Sequence, residues 1–437
     1  MAEQFLGPAE IIKKKKEYII PCLYHFYQRP MQLVRGEKQY LFDHEGKRYL
    51  DFLAGISVIN AGHCHPEITA RICEQVKTLQ HVCNIYLTQP MLDLAEKLAQ
   101  ITPGRLQKSF FCNSGTEANE GAILLAKIAT RRGELLALQN GLYGRTYLTM
   151  SLTGLRFWRT DPCPAGGISF VPNAYCYRCP LNLTYPGCDV ACAGAVRQVI
   201  ETSTSGEVAA LIAEPIQGNG GMITPPPEYF PRLKEILDEY GILLIIDEIQ
   251  TGFGRTGKWF AIEHWNVEPD IMTMAKALGN GVPIGVFTAR PQIADSYTRP
   301  GASTLGGNPV SMVAGLATLD VIEREGLVQN AATLGAYLKE RLLALQEKHP
   351  LIGDVRGLGL MMGAELVKNG KEPATTETDQ VLELMKDRGI LIGKTGRARN
   401  VLAFQPPLVI TRDNIDEVAA NLDEVLSGVE GGMGSVT

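Results

Sequence analysis

The sequence predicts an α/β fold, with a mostly parallel central sheet covered by helices on both faces and a small α/β domain assembled from both termini. Three observations carry the prediction. Short apolar segments of strand length alternate with segments in helical rhythm through the middle of the chain, the βαβ pattern that builds such sheets. The two ends read differently from the middle. At 437 residues the chain also exceeds the usual single core, so two domains sharing an interface are expected.

Residues 1–60 form the expected N-terminal part of the small domain. The run Lys13–Lys16, flanked by Glu10 and Glu17 with Ile11, Ile12, Ile19 and Ile20 close by, reads as the wet face of an N-terminal helix. Between residues 35 and 52, strand-like pairs surround an acidic turn, with Tyr40, Leu41 and Phe42 before it. Residues 61–309 form the expected large domain. Ser109–Cys112 is a short apolar strand, and Thr116–Thr130 has helical spacing. Leu135–Ala137, Val208–Glu214 and Ile242–Asp247 read as strands, with Pro231–Glu239 in helical rhythm between the last two. From 310 to 437, Leu/Ala/Glu-rich helices precede short strands such as Gly359–Leu366, and the Gly-rich tail from Gly428 is expected to be loose.

Hydrophobic residues make up 45% and charged residues 20% of the chain, as in an ordinary soluble globular protein. The formal net charge of −5 gives no electrostatic reason to bind nucleic acid. No stretch approaches the ~20 apolar residues of a membrane span. Met1–Pro8 lacks a basic-then-apolar pattern, so no signal peptide is expected and the location is expected to be cytoplasmic. Six of the ten cysteines are scattered singly and read as buried reduced thiols. Cys176, Cys179, Cys188 and Cys192 cluster in CYRCPLNLTYPGCDVAC, whose opening has metal-ligand spacing. The gap to the second pair is shorter than in most zinc ribbons, which favours a reduced surface insertion over a metal or redox bridge. No metal is therefore assigned.

The strongest chemical signal is IIDEIQTGFGRTGKWF (245–260) followed by MTMAKALGNGVPIG (272–285). One apolar strand delivers Asp247 to its carboxyl end, where open α/β sheets bind ligands. A second, Ile271–Met274, leads into Lys276, 29 residues after Asp247. Ala275, Ala277, Gly279, Gly281 and Gly285 leave room around the lysine for a planar ligand. The pairing suits pyridoxal 5′-phosphate (PLP): the lysine forms an imine with the aldehyde, and the carboxylate keeps the pyridine nitrogen protonated. To attack an aldehyde near neutral pH, the lysine must lose its proton, which burial promotes. In FFCNSGTEANEGA (110–122), Ser114, Gly115 and Thr116 sit at a helix start whose backbone N–H groups would cradle the phosphate.

On these motifs, and on RYLDFLAGISVINAGHCHPE (48–67) and GDVRGLGLMMGAEL (353–366), the chain resembles the class III aminotransferases, fold-type I PLP enzymes, over nearly its whole length. Within the class it resembles the alanine–glyoxylate aminotransferase 2 group, which also contains lyases acting on phosphorylated amino alcohols. The resemblance implies a homodimer with active sites at the subunit interface. It implies Lys276 as the Schiff-base lysine, Asp247 as the pyridinium partner and Gln250 as a donor to the cofactor's phenolic oxygen. Gly115 and Thr116 would hold the phosphate, and Thr304, in STLGGNP, would reach it from the other subunit. Glu214, in AEPIQG, matches an acidic position near the cofactor.

Two departures from the family pattern stand out. Where members place a ring-stacking aromatic, GLYGRT offers Leu142, or Tyr143 if the match shifts by one residue. Near the C-terminus many members have NVxR, whose arginine clamps a substrate carboxylate; here NVLAFQPPLVIT puts Ala403 in that place. Arg397 and Arg399 stand close enough in sequence to substitute. Tyr24 and Tyr86 are candidate pocket residues, whereas His63 and His65, despite metal-like spacing, read as a satisfied turn. The leading expectation is a transaminase passing an amino group from a primary amine or amino acid to pyruvate or glyoxylate. A lyase releasing ammonia or phosphate comes second, and a non-catalytic cofactor-binding protein last.

Overall fold

The alternation of strands and helices resolves into a seven-stranded sheet. Its strands are β1 (Lys108–Cys112), β2 (Glu134–Leu138), β3 (Ile168–Val171), β4 (Val208–Ala213), β5 (Leu243–Asp247), β6 (Ile271–Ala275) and β7 (Gly285–Ala289). In space they run β1-β7-β6-β5-β4-β2-β3. Only β7 runs against its neighbours, pairing antiparallel with both β1 and β6. The remaining neighbours are parallel. The computed structural model describes residues 5–433.

β4 and β6 are buried along their whole length. That is why they read as unbroken apolar runs rather than as alternating strands. Helices Gly115–Thr130, Ala191–Ser203 and Tyr229–Glu239 pack on the sheet, and Pro309–Arg324 packs on the helices Pro66–Thr78 and Gln89–Ile101 beside it. β3 and β7 were not among the strands read from the sequence. β3 is a four-residue edge strand after two glycines, and β7 opens on Gly285 in a segment that reads as a loop.

Both ends of the chain meet beside this sheet. Strands Leu33–Glu37, Tyr40–Asp43 and Arg48–Asp51 form an antiparallel meander. Ile390–Leu391 extends it by pairing parallel with Leu50 and Asp51. Ile352–Leu358, Met361–Lys368, Val401–Phe404 and Gly393–Thr395 make a second antiparallel sheet. The expectation of a loose tail from Gly428 is corrected. Helix Arg412–Met433 continues through Gly428, Gly431 and Gly432. Val425, Leu426 and Val429 are buried on one face, and that burial outweighs the ~1 kcal/mol each helical glycine costs. Residues 434–437 lie outside the described ones. The lysine-rich helix Pro8–Tyr18 buries none of its residues. No described helix is long and apolar enough to cross a membrane.

Candidate active site

β5 ends at Asp247, and its neighbour β6 ends at Ala275, directly before Lys276. The parallel pairing of Asp247 with Thr273 places both functional groups at the carboxyl edge of the sheet. β1 reaches the same edge and turns into helix Gly115–Thr130, and β4 delivers Glu214 there. A cavity of about 380 Å³ opens at this edge. Ser114, Gly115, Thr116, Leu142, Tyr143, Glu214, Asp247, Gln250 and Lys276 all line it.

The charges are buried together. Asn119 Nδ2 donates to Asp247 Oδ2 at 2.8 Å, and Ile249 N donates to Oδ1 at 3.0 Å. Burial nevertheless pushes the Asp247 carboxyl above its usual range. Glu214 is raised too, by burial and then by the nearby Asp247 charge, although the amides of Leu142 (2.9 Å) and Gly218 (3.2 Å) donate to it. Lys276 moves the other way: burial lowers its amine to about 8, against the opposing pull of Asp247 and Glu214. Its backbone is left-handed, at φ 45°, a conformation that costs a non-glycine residue about 1 kcal/mol or more.

The turn after β1 has the form of an anion cradle. Ser114 caps the helix, its hydroxyl accepting from Glu117 N at 3.2 Å. The Glu117 carboxylate accepts from Asn113 N at 2.8 Å and from Asn113 Nδ2 at 3.0 Å. The Gly115 and Thr116 N–H groups, in the first turn, have no partner within the helix. Gly285 owes its identity to this turn rather than to room for a ligand: an added Cβ would collide with the Ser114 carbonyl oxygen. An anion cradle, a buried carboxylate and a buried amine of lowered pKa on one cavity are the donor set PLP requires, and the residues fit it.

A second cavity, of about 270 Å³, shares Leu142, Gly144, Arg145, Gln250 and Lys276 with the first. Its walls are largely apolar and include Phe26, Ile56, Trp158 and Met222. Ala403 lies buried in this wall, in the strand Val401–Phe404. Tyr24 and Arg399 meet here as well. Arg399 Nη2 donates to the Tyr24 hydroxyl at 3.1 Å, and its guanidinium lies against the rings of Phe26 and Phe157. Lys394 is paired with Asp379.

Several expected residues fall elsewhere. Tyr86 lines neither cavity: it is 62% exposed, on a loop with the likewise exposed Ile85 and Leu87. Thr304, expected to act on the other subunit's phosphate site, is exposed and lines neither cavity of its own chain. The Tyr143 ring is packed into the core, its hydroxyl donating to the Ile212 carbonyl at 3.0 Å. Leu142 is therefore the residue of the pair that both cavities share. His63 and His65 take separate carboxylate partners, Asp51 and Glu325. The four clustered cysteines line one small cavity as free thiols. Among the described residues, no group of three or more His, Cys, Asp or Glu is arranged to hold a metal ion. Arg397 lines a neighbouring cavity with Arg399.

The sequence reading missed Asn119, Thr273, Gln405 and Arg145. Asn119 is an asparagine inside a helix, and nothing local marks it as a partner of Asp247. Gln405 Nε2 lies 3.3 Å from Gln250 Oε1 and 2.6 Å from Ser57 Oγ. Arg145 stands on the wall common to both cavities, its backbone N–H donating to Thr116 Oγ1 at 3.2 Å. Its guanidinium has no acid partner among the described residues.

A model of the family described as aminotransferase class III matches residues 25–426. The alanine–glyoxylate aminotransferase 2 homolog 2, mitochondrial, of Arabidopsis thaliana is 42% identical over 431 residues, covering 97% of this chain and 89% of the relative. A leucine/methionine racemase of Thermococcus litoralis is also 42% identical, covering 97% and 96%. Among solved structures, an (S)-enantioselective omega-transaminase from Thermomicrobium roseum superposes with a TM-score of 0.90 at 32% identity, covering 98% of this chain and 100% of that one.

Proposed function

The chain belongs to the class III aminotransferases, which are PLP enzymes, and from that premise we propose that it moves an amino group from an amine or amino acid with an apolar side chain to pyruvate or glyoxylate. The observation that carries this reading is the position of Lys276, a buried amine with its pKa lowered to about 8, on the wall shared by the cofactor-sized cavity and the apolar one.

When bound, PLP supplies an aldehyde that condenses with amines and a ring that accepts electrons from the substrate carbon. In this proposal Asp247, fixed by Asn119, holds the proton at the ring nitrogen. Gly115 and Thr116 hold the phosphate, Gln250 takes the phenolic oxygen, and Leu142 covers the ring. Lys276 Nζ would take a proton from the substrate's Cα and pass it to the carbon that was the cofactor's aldehyde, an acid–base contribution on the order of 10²- to 10⁴-fold. The apolar wall around Ala403 excludes water and receives the donor's side chain. Arg145 and Arg399 are the cations left to meet a substrate carboxylate. The glyoxylate named for the Arabidopsis relative supports a small keto acid as acceptor.

A homodimer and a cytoplasmic location belong to the same proposal. Thr304, Leu305, Ile85, Tyr86 and Leu87 stand exposed on one chain, and each chain would lend Thr304 to its neighbour's phosphate site. Light scattering and cell fractionation test these two points.

The function is tested by following the cofactor's absorbance as loaded enzyme meets a panel of amines without keto acid. A single stoichiometric conversion to the aminated cofactor, reversed by pyruvate or glyoxylate, is expected. Continuous release of ammonia or phosphate would make the enzyme a lyase. Inversion of an amino acid with no net amino transfer would place it with the racemase relative.

A further inference from the structure

The Gln250 side chain makes a single hydrogen bond among the described residues: its Oε1 accepts from Gln405 Nε2 at 3.3 Å. The same Nε2 donates its other hydrogen to Ser57 Oγ at 2.6 Å. Acceptors thus take both hydrogens of the Gln405 amide, and an amide oxygen in its place would face the Gln250 oxygen. Gln405 and Ser57 are buried, so little water can replace either bond.

Gln405 is held in turn through its backbone. Two prolines follow it, and a residue before proline is confined to extended conformations. Its N–H donates to the Phe52 carbonyl at 2.8 Å, and the Pro406 carbonyl accepts from the buried Arg255. On the other side, an added Cβ on Gly218 would collide with Gln250 Oε1, so glycine there leaves that oxygen its seat. The Gly218 carbonyl is itself held by Thr395 Oγ1 at 2.8 Å. With Oε1 seated between Gly218 and Gln405, Nε2 is the end of the Gln250 amide left for the cavities it lines.

We propose that Gln405 is a positioning residue: it fixes the Gln250 amide so that a donor, not an acceptor, meets the cofactor's phenolic oxygen. The proposal rests on the contact assigned to Gln250 in the reading above and adds the group that enforces it. A Gln250 amide without this partner can turn end for end, since its oxygen and nitrogen occupy nearly the same space. Oε1 would then oppose an electron-rich oxygen.

The test uses Gln405→Met, Gln405→Glu, Gln250→Met and the double variant Gln405→Met/Gln250→Met, all without substrate. Two quantities are read: PLP affinity, by titration of each apoenzyme, and the pH at which the bound cofactor's absorbance titrates. A donor on the phenolic oxygen favours its anionic form, so losing the donor raises that pH. Gln405→Met keeps the length of the side chain without its donors. It is expected to weaken PLP binding about 3- to 10-fold and to raise the titration by about half a unit, the size of one neutral hydrogen bond. Gln405→Glu should do more, because an ionised carboxylate only accepts and draws Gln250 Nε2 away from the cavity. The double variant should match Gln250→Met, since Gln405 acts through Gln250 alone. Effects that add in the double variant would overturn the proposal, leaving Gln405 to touch the cofactor directly or to hold the fold. Wild-type affinity and titration in Gln405→Met, with Gln250→Met impaired, would overturn it too and leave the Gln250 contact standing. If Gln250→Met is itself silent, the contact assigned to Gln250 fails and the proposal with it. Neither readout needs turnover, so a failure of the amino-transfer reading is not mistaken for a failure here. Should Gln405→Glu not fold, the comparison of Gln405→Met with the double variant decides.

Discussion

Asn119 and Asp247 are joined by a 2.8 Å hydrogen bond whose geometry is fixed from both ends of the Asn119 amide. The same Nδ2 donates to the Tyr143 carbonyl at 2.7 Å, and Oδ1 accepts from Thr273 Oγ1 at 2.7 Å. Because Asn119 is fully buried, the bond reaches a carboxylate that has little water to replace it. Asn119→Ala should loosen Asp247 and weaken PLP binding by about 10- to 100-fold, the range for a bond to a charged group. Asn119→Asp should be worse, since it sets a second carboxylate against the first. Titration of the apoenzyme with PLP, followed by fluorescence, measures both.

Lys276 should destabilise the protein when PLP is not bound. Its folded pKa, lowered to about 8 from 10.5, means the unfolded chain binds the extra proton between those values. Stability from this group is therefore at its lowest below about pH 8 and recovers as pH rises toward 10.5. Lys276→Met should abolish amino transfer yet stabilise the apoenzyme by roughly 3 kcal/mol at pH 7, a gain that shrinks on raising the pH. Urea unfolding of both apoenzymes at two pH values measures this.

Loading should follow the same titration. Only the neutral Lys276 amine attacks an aldehyde, so the rate of PLP capture by the apoenzyme should rise with pH through about 8. An ordinary exposed lysine would put the rise near 10.4. Stopped-flow absorbance across pH 6–10 separates the two.

Gly285→Ala should damage the phosphate turn more than the fold. The added Cβ would meet the Ser114 carbonyl, so either β7 or the Ser114–Thr116 turn must shift. PLP affinity should fall by at least about 10-fold while the melting temperature of the apoenzyme changes by only a few degrees. The two are read by the PLP titration and by calorimetry.

What the sequence disclosed follows from where the information sits. Asp247 and Lys276 were legible because each ends a buried parallel strand, so a run of apolar residues points straight at it. Gly115 and Thr116 were legible from the cap sequence around Ser114. Asn119, Thr273 and Arg145 were not, because each acts through a partner on a different element, and no local spacing encodes that meeting. The helical tail was misread from its glycines, since the burial of Val425, Leu426 and Val429 is a tertiary fact. Tyr86 stands in the open on its own chain, so no reading of one chain gives it a pocket.

Borohydride reduction of the PLP-loaded enzyme, followed by peptide mapping, tests the central claim most directly. The account predicts one reduced pyridoxyl phosphate per chain, on Lys276, and none in Lys276→Met. A label on Lys394 or another lysine, or labelling that survives in Lys276→Met, would contradict it.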